Sequence, residues 1–203
     1  MQNDNDIRIR EQVDRLGYPT VEMLDREIAR QERKESYKRL TRGVLIGLVA
    51  TAAVIIVITS LWVTVLQIDG SSMNPLLRMD EIVLVIKNDH PMKNDIIAFY
   101  QNNTLLVKRV IGTEDDQIEI NDDGVVSVNG QVQNEPYVTE LSLGNCDISF
   151  PYIVPPGTVF VLGDNRPVAL DSRESRLGPV SKDQIVGVVK FRVWPLPRIG
   201  SIS

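Results

Sequence analysis

Residues 43–67 carry no charged side chain and form one unbroken apolar run of Leu, Val, Ile and Ala with small Gly and Thr between them. At about 1.5 Å of rise per residue, a helix over this run crosses the roughly 30 Å hydrocarbon core of a bilayer. The pattern therefore predicts a transmembrane helix over 43–67. The run lies far from the N-terminus, is longer than the apolar core of a secretory leader, and ends in Ile68-Asp69-Gly70 without a small-x-small exit. It reads as a retained anchor.

The two sides of the run differ in pattern. Upstream, Pro19 and Thr20 give a helix start, and Val21, Leu24 and Ile28 share one weak apolar face among mostly charged neighbours. Residues 1–42 are expected to be a largely helical, solvated arm leading into the membrane rather than a docking site. Downstream, the period changes to that of strands. Short β-branched runs occur at 81–86, 96–100, 105–111, 117–120, 125–128, 158–162 and 185–193, separated by Asp122-Asp123-Gly124, Asn129-Gly130 and Pro155-Pro156-Gly157. Residues 139–151 read as a loop or small insertion. The fold class expected is mostly β: an N-terminal transmembrane helix followed by a β-rich domain over 68–203.

Charge sets the orientation. Residues 1–42 hold ten Lys/Arg against nine Asp/Glu, whereas residues 67–203 hold twelve against eighteen. Arg33, Lys34, Lys38, Arg39 and Arg42 crowd the N-terminal flank of the apolar run, and the first charge beyond it is Asp69. By the positive-inside rule the arm is cytoplasmic and the β-rich domain lies outside a single-pass plasma membrane anchor. The acidic outer part is unsuited to nucleic acid. Cys146 is the lone cysteine, so neither an intrachain disulfide nor a cysteine-rich metal site is available, and its neighbours Asn145 and Asp147 would not activate a thiol.

Candidate chemistry centres on Ser72 and Lys108. Gly70 and Pro75 bracket an exposed turn around Ser72, and Lys108 interrupts the β-branched run Leu105-Leu106-Val107-Lys108-Arg109-Val110-Ile111-Gly112. Apolar neighbours would strip water from that ammonium and favour its neutral form, a competent base for a serine hydroxyl. His90, in the polar stretch Asn88-Asp89-His90-Pro91, reads as a loop histidine. No His-Glu-x-x-His pair is present for zinc, and no cofactor is expected. Asp115-Asp116 and Asp122-Asp123 read as turn residues, Tyr100, Tyr137 and Tyr152 as packing or rim residues, and Trp194 as a strand anchor or a membrane contact.

These motifs, taken in order, resemble those of the bacterial type I signal peptidases over roughly Arg42 to Pro195. Gly70-Ser71-Ser72-Met73-Asn74-Pro75 is similar to the family's nucleophile box, and Asp95-Ile96-Ile97-Ala98-Phe99 to its substrate-pairing strand. Val107-Lys108-Arg109-Val110-Ile111-Gly112 is similar to its lysine box, and Val128-Asn129-Gly130 with Asn134-Glu135-Pro136-Tyr137 to the hairpin that follows. Gly163-Asp164-Asn165-Arg166 with Asp171-Ser172-Arg173 and Gly178 is similar to its last box.

The resemblance implies a membrane-anchored endopeptidase that removes signal peptides from translocated preproteins at the outer membrane face, with the bilayer and the translocation machinery as partners. It implies that Ser72 attacks the scissile carbonyl, that Lys108 is general base and then proton donor, and that the Ser72 N–H helps hold the oxyanion. Asp164, Arg166, Asp171, Ser172 and Arg173 would hold the last box against the lysine strand. Substrate would enter as an extended strand along an edge near Ile96 to Tyr100, with pockets for small residues one and three positions before the cut.

Three positions depart from the family pattern. Leu76 stands where threonine is frequent, Gly70 where some members carry a serine that donates to the oxyanion, and Ala169 where a serine usually hydrogen-bonds the lysine. Ala169 and Leu76 motivate a rival reading, a non-catalytic module that binds extended peptides or assists surface-protein assembly. A self-cleaving repressor-type protease is excluded by the anchor and the acidic outer domain.

Overall fold

A computed structural model describes residues 21–88 and 90–202, together with Arg8 and Gly17. The start signals Pro19 and Thr20 lie outside the described residues. Two compact units divide the chain, Met1–Val57 and Ile58–Ser203.

Helix α1 runs from Val21 to Trp62. Exposed pairs one turn apart, Glu27 with Arg30 and Glu35 with Arg39, line its charged first half and contribute a few tenths of a kcal/mol each. Over Val21–Val57 the helix is long and apolar enough to cross a membrane. It ends five residues earlier than the apolar run predicts. Val63–Gln67 is instead strand β1, paired antiparallel with β2 (Ile82–Ile86) from Val63 opposite Ile86 to Gln67 opposite Ile82. Hydropathy cannot separate the two states. The β-branched sequence Val63-Thr64-Val65 favours the strand, and the partner β2 decides it.

The larger sheet is built on β3 (Ile96–Gln101) and β4 (Thr104–Thr113), joined by a tight turn at Asn102-Asn103. Its order is β1-β2-β11-β3-β4-β9-β10, where β9 is Thr158–Leu162, β10 Val180–Ser181 and β11 Ile185–Trp194; β12 (Gly200–Ser201) pairs with β11. A smaller sheet has the order β7-β6-β5-β8, from Gln131–Val132, Val126–Val128, Gln117–Ile120 and Tyr152–Ile153. Asn129 and Gly130 both take positive φ, 53° and 76°, the backbone that a two-residue hairpin demands and that Asn-Gly supplies at least cost. No helix or strand occurs over 133–151, a stretch that contains the loop expected over 139–151.

Period two explains how these strands fill three cores. Ile96 and Ala98 of β3 enter a core with Ile68, Met73, Leu77, Val83 and Val85. Ile97 and Phe99, on the opposite face, join Val110, Val161 and Val188. Strand β9 divides likewise: Val159 and Val161 enter the second core, Phe160 and Leu162 a third beneath the smaller sheet with Ile118 and Val126. Both faces of β3 and β9 are covered, hence their uninterrupted apolar sequences. Asp116 does more than turn the chain. Buried, it accepts from Lys93 Nζ at 2.8 Å, Asn129 Nδ2 at 2.7 Å and Thr113 N–H at 2.7 Å, fixing the β4–β5 corner to the hairpin.

Candidate active site

The first core fixes the turn that carries Ser72. Ile68, Met73 and Leu77 are buried in it, the Leu77 N–H donates to Met73 O at 2.9 Å, and the Asn74 N–H donates to Ser71 O at 3.1 Å. Gly70 has φ +109°, a conformation L side chains rarely adopt. Glycine two residues before Ser72 thus meets a backbone requirement, and it brings no side-chain donor to that position. Asn165 grips the turn from the last box: its N–H donates to Ser72 O at 3.0 Å and its Nδ2 to Ser71 O at 3.1 Å.

Lys108 lies on β4 opposite Ile97 of β3 and is 3% exposed. Its Nζ is 2.7 Å from Ser72 Oγ and 3.2 Å from Val107 O. Two residues 36 positions apart are thus within one hydrogen bond. Burial pulls the Lys108 ammonium down to about 8, partly opposed by the carboxylates of Asp171 and Asp164. In its neutral form the same nitrogen can accept the Ser72 hydroxyl proton along the same contact.

Three buried arginine–carboxylate pairs lock the frame. Arg109, beside Lys108, makes a bidentate pair with Asp164 at 2.9 Å on both arms, donates to Asn94 O, and lies 3.8 Å over the Tyr137 ring. Arg166 pairs with Glu135 at 2.6 and 3.1 Å, and Tyr137 donates to the same carboxylate. Arg173 holds Asp171 at 2.8 Å through both Nε and Nη2 and donates to Ser142 O, Leu143 O and Arg166 O. Asp171 also accepts the Gly163 N–H, and Ser172 Oγ accepts from Val161 N–H at 3.0 Å. Asp164, Arg166, Asp171, Ser172 and Arg173 therefore join β4, β9 and the loop after Glu135. Glu135 and Arg109, to which sequence reasoning gave no individual role, complete the pairs, and Tyr137, read as a packing or rim residue, packs on Arg109 and donates to Glu135. A charged residue inside an apolar strand, as Arg109 is, demands a buried partner and is the signal that could have found them.

The expected substrate strand requires correction. Strand β3 is hydrogen-bonded on both sides, to β11 and to β4, and Ile96, Ile97, Ala98 and Phe99 are buried. It offers no edge, and Asp95 is spent on the Met92 N–H and Lys190. The open backbone lies one strand over. Strand β4 pairs with β9 only from Arg109 onward, leaving residues 105–107 without a second strand partner among the described residues. Opposite runs the chain from β1 to Gly70. Between them is a cavity of about 170 Å³ whose lining includes Leu66, Gln67, Asp69, Leu105 and Val107 together with Ser72 and Lys108.

A buried lysine on a serine hydroxyl beside a cleft is an arrangement that can serve peptide-bond hydrolysis, and residues 40–194 match the family of signal peptidases, peptidase S26. The chain belongs to that family. It is a serine peptidase. It is 34% identical over 174 residues to signal peptidase IB of Staphylococcus aureus, covering 74% of this chain and 88% of that one. It is 38% identical over 144 residues to signal peptidase I of Bacillus caldolyticus, covering 63% and 78%. A crystal structure of a signal peptidase I from Enterococcus faecalis V583 aligns with 49% of this chain and 96% of its own, at 32% identity and TM-score 0.41. Against the non-catalytic reading stand Ser72 and Lys108, both present and in contact.

Within this S26 peptidase, Ala169 remains the chemical departure. Its methyl packs so closely on Gly163 that a Cβ there would come within 2.4 Å of it and 2.7 Å of Ser72 O. Ser172 is not its substitute, since that hydroxyl serves Val161 and the partners of Lys108 Nζ among the described residues are Ser72 Oγ and Val107 O. Ala169→Ser is expected to raise the single-turnover rate by roughly threefold to tenfold, at most about 1.4 kcal/mol of barrier, with little change in substrate binding. Quenched-flow cleavage of a peptide substrate checks this, and a slower enzyme contradicts it.

Proposed function

We propose that this peptidase is anchored in the plasma membrane by helix α1 and cuts signal peptides from translocated preproteins on the outer face, with Ser72 as nucleophile and Lys108 as general base. The carrying observation is the 2.7 Å contact between Lys108 Nζ and Ser72 Oγ at a lysine that is 3% exposed. Neutral Lys108 removes the Ser72 proton as Oγ attacks the scissile carbonyl, and the Ser72 N–H stabilises the oxyanion. Collapse of the tetrahedral intermediate expels the mature protein's amine, which takes the proton from Lys108. The acyl-enzyme is then attacked by water, with Lys108 again the base, and the signal peptide leaves with a free carboxylate as the proton returns to Ser72.

The substrate lies extended between residues 105–107 and the chain from β1 to Gly70, adding backbone hydrogen bonds to an open strand edge. The small volume of the cavity, about 170 Å³, favours small side chains near the cut. Because the base must be neutral, kcat/KM should rise about tenfold per pH unit below pH 8 and level off above it, the free enzyme's Lys108 titrating at about 8. A profile flat from pH 6 to 9 contradicts the assignment. The basic flank at Arg33, Lys34, Lys38, Arg39 and Arg42 supports a cytoplasmic arm. Protease added outside right-side-out vesicles should digest the β-rich domain and spare residues 1–42. Digestion of the arm first would reverse the topology.

A further inference from the structure

The turn that carries Ser72 is also held by a charge cluster that the dyad chemistry does not use. Glu81, 2% exposed, receives Arg198 Nη1 on one carboxylate oxygen and has Arg192 Nε 2.9 Å from the other. Each arginine then aims its Nη2 at the same backbone oxygen: Arg192 donates to Leu76 O at 2.6 Å and Arg198 at 3.2 Å. Arg198 also reaches Pro75 O at 3.4 Å. The backbone of Glu81 grips the other end of the turn, accepting the Ile68 N–H at 2.8 Å, while Ile68 O accepts the Asp80 N–H at 2.9 Å. One residue thus ties the chain entering the turn, before Gly70, and the chain leaving it, at Pro75 and Leu76.

Two cations and one anion in a mostly buried site do not repay their desolvation in stability. The excess positive charge is met by carbonyl dipoles of the nucleophile turn. We propose that Glu81, Arg192 and Arg198 are positioning residues that fix Ser72 Oγ against Lys108 by clamping the backbone four residues after it. The proposal rests on the Ser72–Lys108 reading above. Its footing is the convergence of two guanidinium groups from β11 and the segment after it on one carbonyl. The same cluster accounts for Leu76: the backbone oxygen carries the anchoring, so no side-chain hydroxyl is required at that position. A displacement of the nucleophile by about 1 Å is enough to cost on the order of a hundredfold in rate.

The test uses the full chain in detergent with a peptide substrate. Arg192→Lys keeps the charge but cannot serve Glu81 and Leu76 O together, and Arg198→Gln, at a more exposed site, removes the second arm. Expected are a fall in single-turnover rate of about 10- to 100-fold for Arg192→Lys and about 3- to 10-fold for Arg198→Gln. KM should stay within about twofold and the pH midpoint unchanged, because the lysine's surroundings are untouched. Hydrogen exchange read by mass spectrometry should quicken in the peptide over 70–80 and nowhere else. Val126→Ala, a cavity in the third core, is the control for lost stability alone and should keep the parental rate per folded molecule. Should Arg192→Lys not fold, Arg198→Gln decides. Rates within twofold of the parent, or losses matching the unfolded fraction, overturn the proposal. Ser72→Ala run alongside separates the two readings: if it still cuts, the dyad is wrong, and the exchange data alone judge the clamp.

Discussion

Ser72→Ala and Lys108→Ala are each expected to lower single-turnover cleavage of a labelled preprotein by about 10⁵-fold or more, and the double variant should be no slower than either. The two groups form one proton-transfer unit joined by a 2.7 Å contact, and removing one half of such a unit costs nearly as much as removing both. Neither change should unfold the protein. Lys108→Ala removes an ammonium whose burial disfavours its charged form, and Ser72 lies on a turn whose backbone bonds do not involve the hydroxyl. Activity within tenfold of the parent in either variant would dismiss the mechanism.

Asp164→Ala is expected to have the largest effect on stability. Asp164 is the carboxylate partner of Arg109, and both side chains are at most 2% exposed. Removing it leaves a guanidinium buried against Asn94 O and the Tyr137 ring with no anion, which typically costs about 3–5 kcal/mol. Urea unfolding of the parent and the variant measures it. Part of the activity loss would follow from the fold, since Arg109 is the neighbour of Lys108 on β4. A change under about 1 kcal/mol would mean that water reaches the pair and that the lysine strand is held by packing alone.

What the sequence could reveal depended on whether local pattern or long-range pairing decides the outcome. The strands over 117–120 and 158–162 are legible because their alternation serves cores on their own faces. Ser72 and Lys108 stand out because a turn between Gly70 and Pro75 and a lysine inside a β-branched run are local anomalies. Strand β1 was not legible, since residues 63–67 satisfy the requirements of a membrane helix equally well and only pairing with β2 separates the two. The open edge was misplaced by one strand for a related reason. β3 and β4 have similar apolar sequences, and which of them keeps a free side depends on where β9 begins to pair. Of the arginine network, Asp164, Arg166, Asp171 and Arg173 were visible through the last box, and Arg109 and Arg192 only as charges in apolar strands. Its partners Glu81, Glu135 and Asp164 come from segments far along the chain, brought together by the sheet order.

The most direct test of the central claim is to map the acyl group. The purified chain is mixed with a peptide ester ending in a small residue, quenched in acid during turnover, digested, and read by mass spectrometry. The account predicts an adduct with the mass of the acyl half on Ser72, in the fragment that runs from the apolar helix to Arg78, and none in Ser72→Ala. An adduct on another residue, or full-rate cleavage by Ser72→Ala with no adduct, would contradict it.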